Sequence, residues 1–207
     1  MNRKTLVVGA FLVLGLLLLV FRTPTTAEAP SDLSDYETAV FAGGCFWCME
    51  AAFEATDGVI ESVSGYTGGH VPNPTYEQVN TKTTGHLEAV QVYYDASEIT
   101  YEELLDVFWR NINPTDDGGQ FVDRGAQYTT AIFFATQKEK TTAEESKDAL
   151  EKSNRFNDPI VTAILEFDVF YQAEDYHQDY YKKKAVNYKI YERLSGRNEF
   201  KEENWGE

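Results

Sequence analysis

Segments with the pattern of β-strands alternate with segments of helical spacing along most of this 207-residue chain. Runs rich in β-branched and aromatic residues predict strands over 37–42, 60–66, 87–94, 128–135 and 162–167. Helical patterns fall between them, over 45–55, from the capping box at Thr100, over 136–155 and over 173–184. Strands interleaved with helices, and too few for a closed barrel, predict an α+β fold. We expect a two-layer α/β sandwich with a ferredoxin-like mixed sheet, covered by helices and carrying long irregular loops.

The first thirty residues do not have the pattern of a globular fold. Arg3 and Lys4 precede an apolar run over 6–21, and Ala27-Glu28-Ala29 resembles the site that signal peptidases cut. The run is longer than the ~7–15 apolar residues of a signal peptide and shorter than the ~20 of a membrane span. A cleaved signal peptide and an uncleaved membrane anchor therefore both remain open. Either one places the domain predicted over 31–207 outside the cytoplasm, in the periplasm or at the cell surface.

The charge of the chain excludes one class of partner. Acidic residues outnumber basic ones by 34 to 18, which gives a formal net charge of −16. A nucleic-acid backbone would be repelled by such a surface, so nucleic-acid binding is not expected. The acidity identifies no other partner by itself.

Two cysteines, Cys45 and Cys48, form a single C-x-x-C motif. A bridge between them would close too short a loop to stabilise the fold much, so the motif indicates redox chemistry. Cys45 follows the turn Gly43-Gly44 at the start of a predicted helix, where the helix dipole favours a thiolate nucleophile. Cys48 lies one turn later and is the candidate resolving thiol, which captures oxidised Cys45. Inert packing is the alternative for both cysteines, and the three scattered histidines do not predict a metal site.

Five ordered stretches of the chain resemble the A-class peptide methionine sulfoxide reductases. The first is Gly44-Cys45-Phe46-Trp47-Cys48-Met49-Glu50, similar to the family signature G-C-F-W-x-x-E. The others are Gly65-Tyr66-Thr67-Gly68-Gly69 with Asn73-Pro74-Thr75-Tyr76-Glu77, Thr84-Gly85-His86-Leu87-Glu88-Ala89-Val90, Asn113-Pro114-Thr115 with Asp123-Arg124-Gly125-Ala126-Gln127-Tyr128, and Phe170-Tyr171-Gln172-Ala173-Glu174-Asp175-Tyr176-His177-Gln178. The resemblance covers the chain from about 40 to 181.

The resemblance implies an activity and a set of roles. It implies reduction of methionine sulfoxide of the S epimer, free or in proteins, with no metal or cofactor. The implied roles are nucleophile for Cys45, proton donor for Glu88, oxygen-binding phenols for Tyr66 and Tyr128, active-site acid for Asp123, and methyl-binding wall for Phe46 and Trp47. The expected partners are oxidised proteins, free methionine sulfoxide and a thioredoxin-like reductant, with the membrane added if the N-terminal segment is uncleaved. The expected oligomeric state is a monomer.

The reaction requires a thiolate and an acid in one pocket, with their pKa values shifted in opposite directions. The helix start favours the Cys45 thiolate, and aromatic walls are expected to raise the pKa of Glu88 by desolvation. A solvent-facing position is the alternative for Glu88, because it alternates along its strand with apolar Leu87 and Ala89.

Three departures from the family pattern concern recycling and substrate contacts. Cys48 stands where many members have glycine, and the C-terminal tail lacks the resolving cysteines that they keep there. Asn113 stands where aspartate is common, and Thr129-Thr130 replaces a common Arg-Ser. Two other functions remain alternatives: a thioredoxin-like thiol–disulfide oxidoreductase using Cys45 and Cys48, and an acidic membrane-anchored binding module.

Overall fold

The computed structural model describes residues 32–206, so the predicted N-terminal signal or anchor lies outside the described residues. Eight strands are present in this part of the chain: β1 (Glu37–Gly43), β2 (Val59–Thr67), β3 (Leu87–Tyr94), β4 (Gly119–Gln120), β5 (Asp123–Arg124), β6 (Thr130–Phe134), β7 (Ala163–Glu166) and β8 (Phe170–Gln172). Seven α-helices accompany them: α1 (Phe46–Glu54), α2 (Tyr76–Asn80), α3 (Tyr101–Arg110), α4 (Gln137–Lys152), α5 (Tyr180–Lys183), α6 (Ala185–Ser195) and α7 (Arg197–Trp205). None of the helices between residues 32 and 206 has the length and apolar character needed to cross a bilayer.

Six strands form one mixed sheet in the order β7-β6-β1-β3-β2-β8. The pair β6 and β7 is parallel, and every other neighbouring pair is antiparallel. β4 and β5 form a separate two-stranded hairpin inside the long predicted loop. The predicted α+β fold, with a mixed sheet and helices, is confirmed.

The helix start signals in the sequence act as predicted. Thr100 and Thr136 each accept a hydrogen bond from the backbone N–H three residues later, and the Glu103 and Glu139 carboxylates each accept one from the backbone N–H of the cap residue. Such reciprocal caps satisfy donors that have no partner within the helix. They fix where α3 and α4 begin.

The predicted helix over 173–184 is wrong over most of its length. β8 is followed by turns, and only Tyr180–Lys183 is helical. Asp179 has φ of 53°, in the left-handed region, and therefore interrupts any helix that would run through it. α2, α6 and α7 were not predicted either.

Alternate residues of the central strands face two different cores. Phe41 packs toward the helices, with ring centroids 5.1 Å from Phe53 on α1 and 5.3 Å from Phe108 on α3. Burying each phenylalanine contributes roughly 1.5–3 kcal/mol. Val40 and Ala89 belong to a smaller cluster on the opposite face of the sheet. Because side chains alternate along a strand, β3 directs its even-numbered residues toward α1.

Candidate active site

A tight turn places Cys45 at the end of β1 and the beginning of α1. Gly44 has φ of +84°, and a Cβ built on it would lie 2.5 Å from Cβ of Gln120. Both the left-handed conformation and the close contact require glycine at this position. Gln120 is fully buried, and its side chain bonds the backbone N–H and C=O of Asn113 at 2.7 and 2.8 Å. The turn before Cys45 is thus held against the loop that carries Asp123.

Glu88 projects from β3 toward the start of α1. Its side chain is only 2% exposed, so the solvent-facing alternative is wrong. Its Oε2 accepts a hydrogen bond of 3.1 Å from the backbone N–H of Phe46, and Tyr128 provides a further hydrogen bond. Burial outweighs these bonds and raises the pKa of Glu88 to about 8. A carboxyl group in this state carries a transferable proton at neutral pH.

The two thiols are buried side by side beneath the helix start. Burial raises the pKa of Cys45, and its hydrogen bond to Cys48 and the nearby carboxyl groups act in the same direction. The hydrogen bond from Cys45 lowers the pKa of Cys48 to about 7 against the effect of burial, and the Arg197 guanidinium assists. This differs from the expectation that the helix start makes Cys45 the thiolate. Burial is the largest cause, and the first backbone N–H of the helix, that of Phe46, donates its hydrogen bond to Glu88.

A cavity of about 50 Å³, here called the substrate cavity, brings most of the predicted site residues together. Its lining residues are Cys45, Phe46, Trp47, Tyr76, Glu88, Asp123, Tyr128 and Tyr191. Cys48 lies beside Cys45 in a neighbouring cluster outside this lining. A thiol, a protonated acid and phenols therefore meet in an aromatic recess, which suits attack by sulfur on a small group that must gain a proton.

Tyr66, predicted to bind the substrate oxygen, is not among the residues that line the cavity, whereas Tyr76 is. The Tyr66 hydroxyl donates a 3.0 Å hydrogen bond to Glu174, and its ring packs behind Phe46 with centroids 6.0 Å apart. Tyr76 is the first residue of α2, and its backbone N–H donates to the other oxygen of Glu174 at 2.9 Å. The capping box of Thr75 and Gln78 fixes the start of α2 at Tyr76, but it does not indicate that the Tyr76 side chain enters the cavity.

Two residues from the C-terminal part complete the site. The Tyr191 hydroxyl donates a hydrogen bond to Asp123 and also contacts the Cys45 thiol. His177 lies outside the cavity lining, where its Nδ1 accepts a 3.2 Å hydrogen bond from Trp47 Nε1 and thereby fixes the indole. Burial raises the pKa of Asp123 and lowers that of His177. No sequence pattern pointed to Tyr191, because the chain after 184 had no structural assignment.

Comparison with protein families matches residues 37–207 to the model described as peptide methionine sulfoxide reductase. A relative from Bacillus licheniformis, named peptide methionine sulfoxide reductase MsrA, is 54% identical over 170 residues. The aligned region covers 82% of this chain and 94% of that relative.

Solved structures agree with this match. Methionine sulfoxide reductase A of Corynebacterium diphtheriae is 33% identical with a TM-score of 0.64, over 72% of this chain and 76% of that one. Reduced Mxr1 of Saccharomyces cerevisiae is 29% identical with a TM-score of 0.68, over 72% and 86% of the two chains. The same yeast protein in complex with Trx2 is 22% identical with a TM-score of 0.51, over 75% and 91%.

Proposed function

The chain belongs to the peptide methionine sulfoxide reductase family, and from this premise we propose which of its residues carry out the reaction. Its activity is the reduction of methionine sulfoxide, of the S epimer, to methionine. We assign the nucleophile to Cys45 and the proton donor to Glu88. The observation that carries this assignment is that both line one small aromatic cavity, with the pKa of Glu88 raised to about 8.

The first step couples attack at sulfur to protonation of oxygen. The methyl group of the sulfoxide lies against Phe46 and Trp47, and the oxygen faces Glu88 and the Tyr76 and Tyr128 hydroxyls. The Cys45 proton passes to Cys48, because a pKa of about 7 leaves part of the Cys48 thiol ionised, and able to accept a proton, at neutral pH. The Cys45 sulfur bonds the oxygen-bearing sulfur, Glu88 protonates that oxygen, and the hydroxyl is transferred as methionine leaves. Cys45 is then a sulfenic acid.

Cys48 resolves the sulfenic acid. Its sulfur attacks the Cys45 sulfur, a disulfide forms, and the hydroxyl leaves as water with the Cys48 proton. Residues at i and i+3 of a helix have Cβ atoms ~5–6 Å apart, whereas a disulfide needs ~3.8 Å, so the start of α1 must adjust locally. Cys45 occupies the cap position, where the backbone is not yet helical, and this makes the adjustment small.

A thioredoxin-like dithiol reduces the disulfide in this proposal. Support comes from the yeast relative, which forms a complex with Trx2. The reductant becomes a disulfide, both enzyme thiols are restored, and the balance is one sulfoxide and one dithiol converted to methionine, water and a disulfide. The rival function as a general thiol–disulfide oxidoreductase would leave Glu88, Tyr76 and Tyr128 without a role in the cavity.

We also propose that the enzyme acts outside the cytoplasm. The support is the pair of cations and the apolar run over 6–21 in the N-terminal segment. Oxidised proteins of the periplasm or cell surface, and free methionine sulfoxide, are then its substrates. Detection of the protein in the membrane or periplasmic fraction of its host would support export, and recovery in the cytoplasm alone would contradict it.

Replacement of Cys45 tests the assignment of the nucleophile. Cys45→Ser should abolish methionine formation from a methionine sulfoxide peptide in single-turnover experiments without reductant. The matched control is Cys48→Ser, which keeps the nucleophile and should still form one methionine for each enzyme molecule. Circular dichroism of both variants checks their fold. Methionine formation by Cys45→Ser at the rate of the wild type would refute the assignment.

A further inference from the structure

Helix α6 carries an apolar stripe on its outer face, here called the α6 stripe. Its members, Val186, Ile190 and Leu194, follow one another at intervals of four residues and therefore lie on one side of the helix. They are 72%, 56% and 71% exposed and belong to no buried cluster of the described residues, whereas Tyr188 and Ser195 on the opposite side are buried. Single exposed apolar residues are ordinary in proteins, but a continuous stripe marks an interaction surface.

Positive charge lies around the α6 stripe. Residues 182–193 contain five basic side chains and one acidic side chain, a formal charge of +4 in a chain whose net charge is −16. Two of the five, Lys182 and Lys183, are paired with acidic side chains. The other three are exposed and form no ion pair among the described residues: Lys184, Lys189 and Arg193. At about 100° per residue, the last two flank the stripe along one side.

The acidic side chains nearby do not cancel this charge. Glu192 is the one carboxylate of α6, and it is half-buried on the inner side of the helix, where it accepts a 3.5 Å hydrogen bond from the Tyr188 hydroxyl. The next helix, α7, carries three exposed glutamates. A negatively charged surface is therefore met by α6 and not by α7.

We propose that the α6 stripe and the cations beside it dock the enzyme on a bilayer that contains anionic phospholipid. A helix at such a surface buries its apolar face at the boundary between headgroups and acyl chains, while lysine and arginine side chains extend to the phosphates. This docking goes beyond the reductase activity and requires none of the roles assigned to Cys45, Cys48 and Glu88. Tyr191, which α6 also contributes, lines the substrate cavity, so docking places that cavity about one helix diameter, ~10–12 Å, from the lipid.

Three other occupants fit this surface less well. A second copy of the chain would bring two surfaces of the same positive charge together. A peptide is usually bound in a groove or at a sheet edge, whereas the stripe lies on one exposed and convex helix face. The apolar run of the chain itself, over 6–21, has no acidic residue to pair with the cations. An anionic bilayer matches both the apolar stripe and the charge.

The N-terminal segment, where it is retained as an anchor, favours the same docking. The apolar run ends at residue 21, and β1 begins at Glu37. Residues 22–36 span at most roughly 50 Å even when fully extended. A tether of this length keeps the domain at a high effective concentration beside the bilayer, so contacts that are individually weak are sufficient for docking.

A photocrosslinking side chain in the stripe identifies what covers it. Val186→p-benzoylphenylalanine is made in the full-length chain, which is reconstituted with vesicles of phosphatidylcholine, with or without phosphatidylglycerol. After irradiation, mass spectrometry should find a lipid adduct at residue 186, several times more abundant in the anionic vesicles. The same replacement at Val161, an exposed apolar residue outside α6, is the control and should give little lipid adduct. An adduct at 186 to a second copy or to residues 6–21 in place of lipid, or equal lipid yields in the two vesicles, would overturn the proposal.

Charge variants in the crosslinking chain test the electrostatic contribution. Lys189→Glu should lower the yield of lipid adduct about fivefold, since each cation near an anionic surface contributes roughly that factor to binding. Lys138→Glu makes the same change of charge at an exposed position of α4 and should leave the yield unchanged. Methionine formation without vesicles should be equal in both variants, which separates docking from the proposed reductase chemistry. An equal loss of adduct in the two variants would show that only the net charge matters, and this would overturn docking through α6.

Discussion

Replacement of Glu88 by glutamine isolates proton donation from every other property of the site. The amide has the shape of the acid, and its oxygen can still accept the 3.1 Å hydrogen bond from the Phe46 N–H. What it lacks is a transferable proton. General acid catalysis contributes roughly 10²–10⁴ in rate, so the single-turnover rate of Glu88→Gln should fall by that factor. Rapid quenching of enzyme mixed with excess methionine sulfoxide peptide, followed by quantification of methionine, measures it.

The pH dependence gives a second, independent test of the same residue. With a pKa of about 8, Glu88 is protonated at neutral pH and ionises as the pH rises further. Above that pKa the wild-type single-turnover rate should fall about tenfold for each pH unit, because only the protonated acid delivers a proton. Ionisation of the thiols acts in the opposite direction, so the wild-type profile should be bell-shaped. Glu88→Gln should lose the descending limb and keep the ascending one.

Measurements of thermal stability distinguish the loss of proton donation by Glu88 from damage to the fold. Burial raises the pKa of Glu88 above its ordinary value of 4.5, so between pH 4.5 and 8 the native state binds more protons than the unfolded state. The stabilisation from this group is complete below pH 4.5 and is lost as the pH rises through 8. Glutamine does not ionise, so Glu88→Gln should have a Tm at pH 8 at least equal to that of the wild type. A wild-type rate at pH 7, or an unchanged descending limb, would refute Glu88 as the donor.

Two further variants test the resolving thiol and the phenols. Cys48→Ser, oxidised by substrate alone, should gain the mass of one oxygen as a Cys45 sulfenic acid, whereas the wild type should lose two hydrogens; recycling by thioredoxin as fast as in the wild type would contradict internal resolution. Tyr76→Phe removes a hydroxyl from the substrate cavity and should lower kcat roughly 10²–10³-fold, as loss of one oxyanion donor does. Tyr66→Phe is its matched control in steady-state assays and should change kcat little, because that hydroxyl donates to Glu174.

The secondary-structure elements that have a strong local signal in the sequence were predicted correctly. The predicted capping box at Thr100 and the predicted helix start at Thr136 matched the starts of α3 and α4, and the alternation over 87–94 matched β3. The alternation places Glu88 on one face of β3. A single strand does not reveal which face of the sheet the helices cover, so the burial of Glu88 could not be predicted. That information is held in the packing of β1 and β3 against α1, which brings together residues far apart in the chain.

The sequence also does not show which of the two tyrosines, Tyr66 or Tyr76, lines the substrate cavity. Both tyrosines lie in stretches that resemble the family, and neither has a spacing that separates a ligand from a packing residue. The structure separates them through Glu174, which bonds the hydroxyl of one and the backbone of the other. Tyr191 was beyond prediction for another reason, since its contacts with Asp123 and Cys45 depend on how the C-terminal helices return to the site.

The C-terminal helices support the proposed resolution of Cys45 by a thiol beside it. Arg197, at the start of α7, is buried and bonds the backbone carbonyls of Gly43 and Asn111, and Tyr188 and Tyr191 of α6 cover the cysteine pair. A tail held by these contacts cannot act as a mobile arm that delivers a distant cysteine without breaking them. A buried arginine that loses its acceptors would incur the cost of an unsatisfied charge. In the proposed mechanism resolution therefore comes from within the site, where among the described residues Cys48 is the one thiol in contact with Cys45.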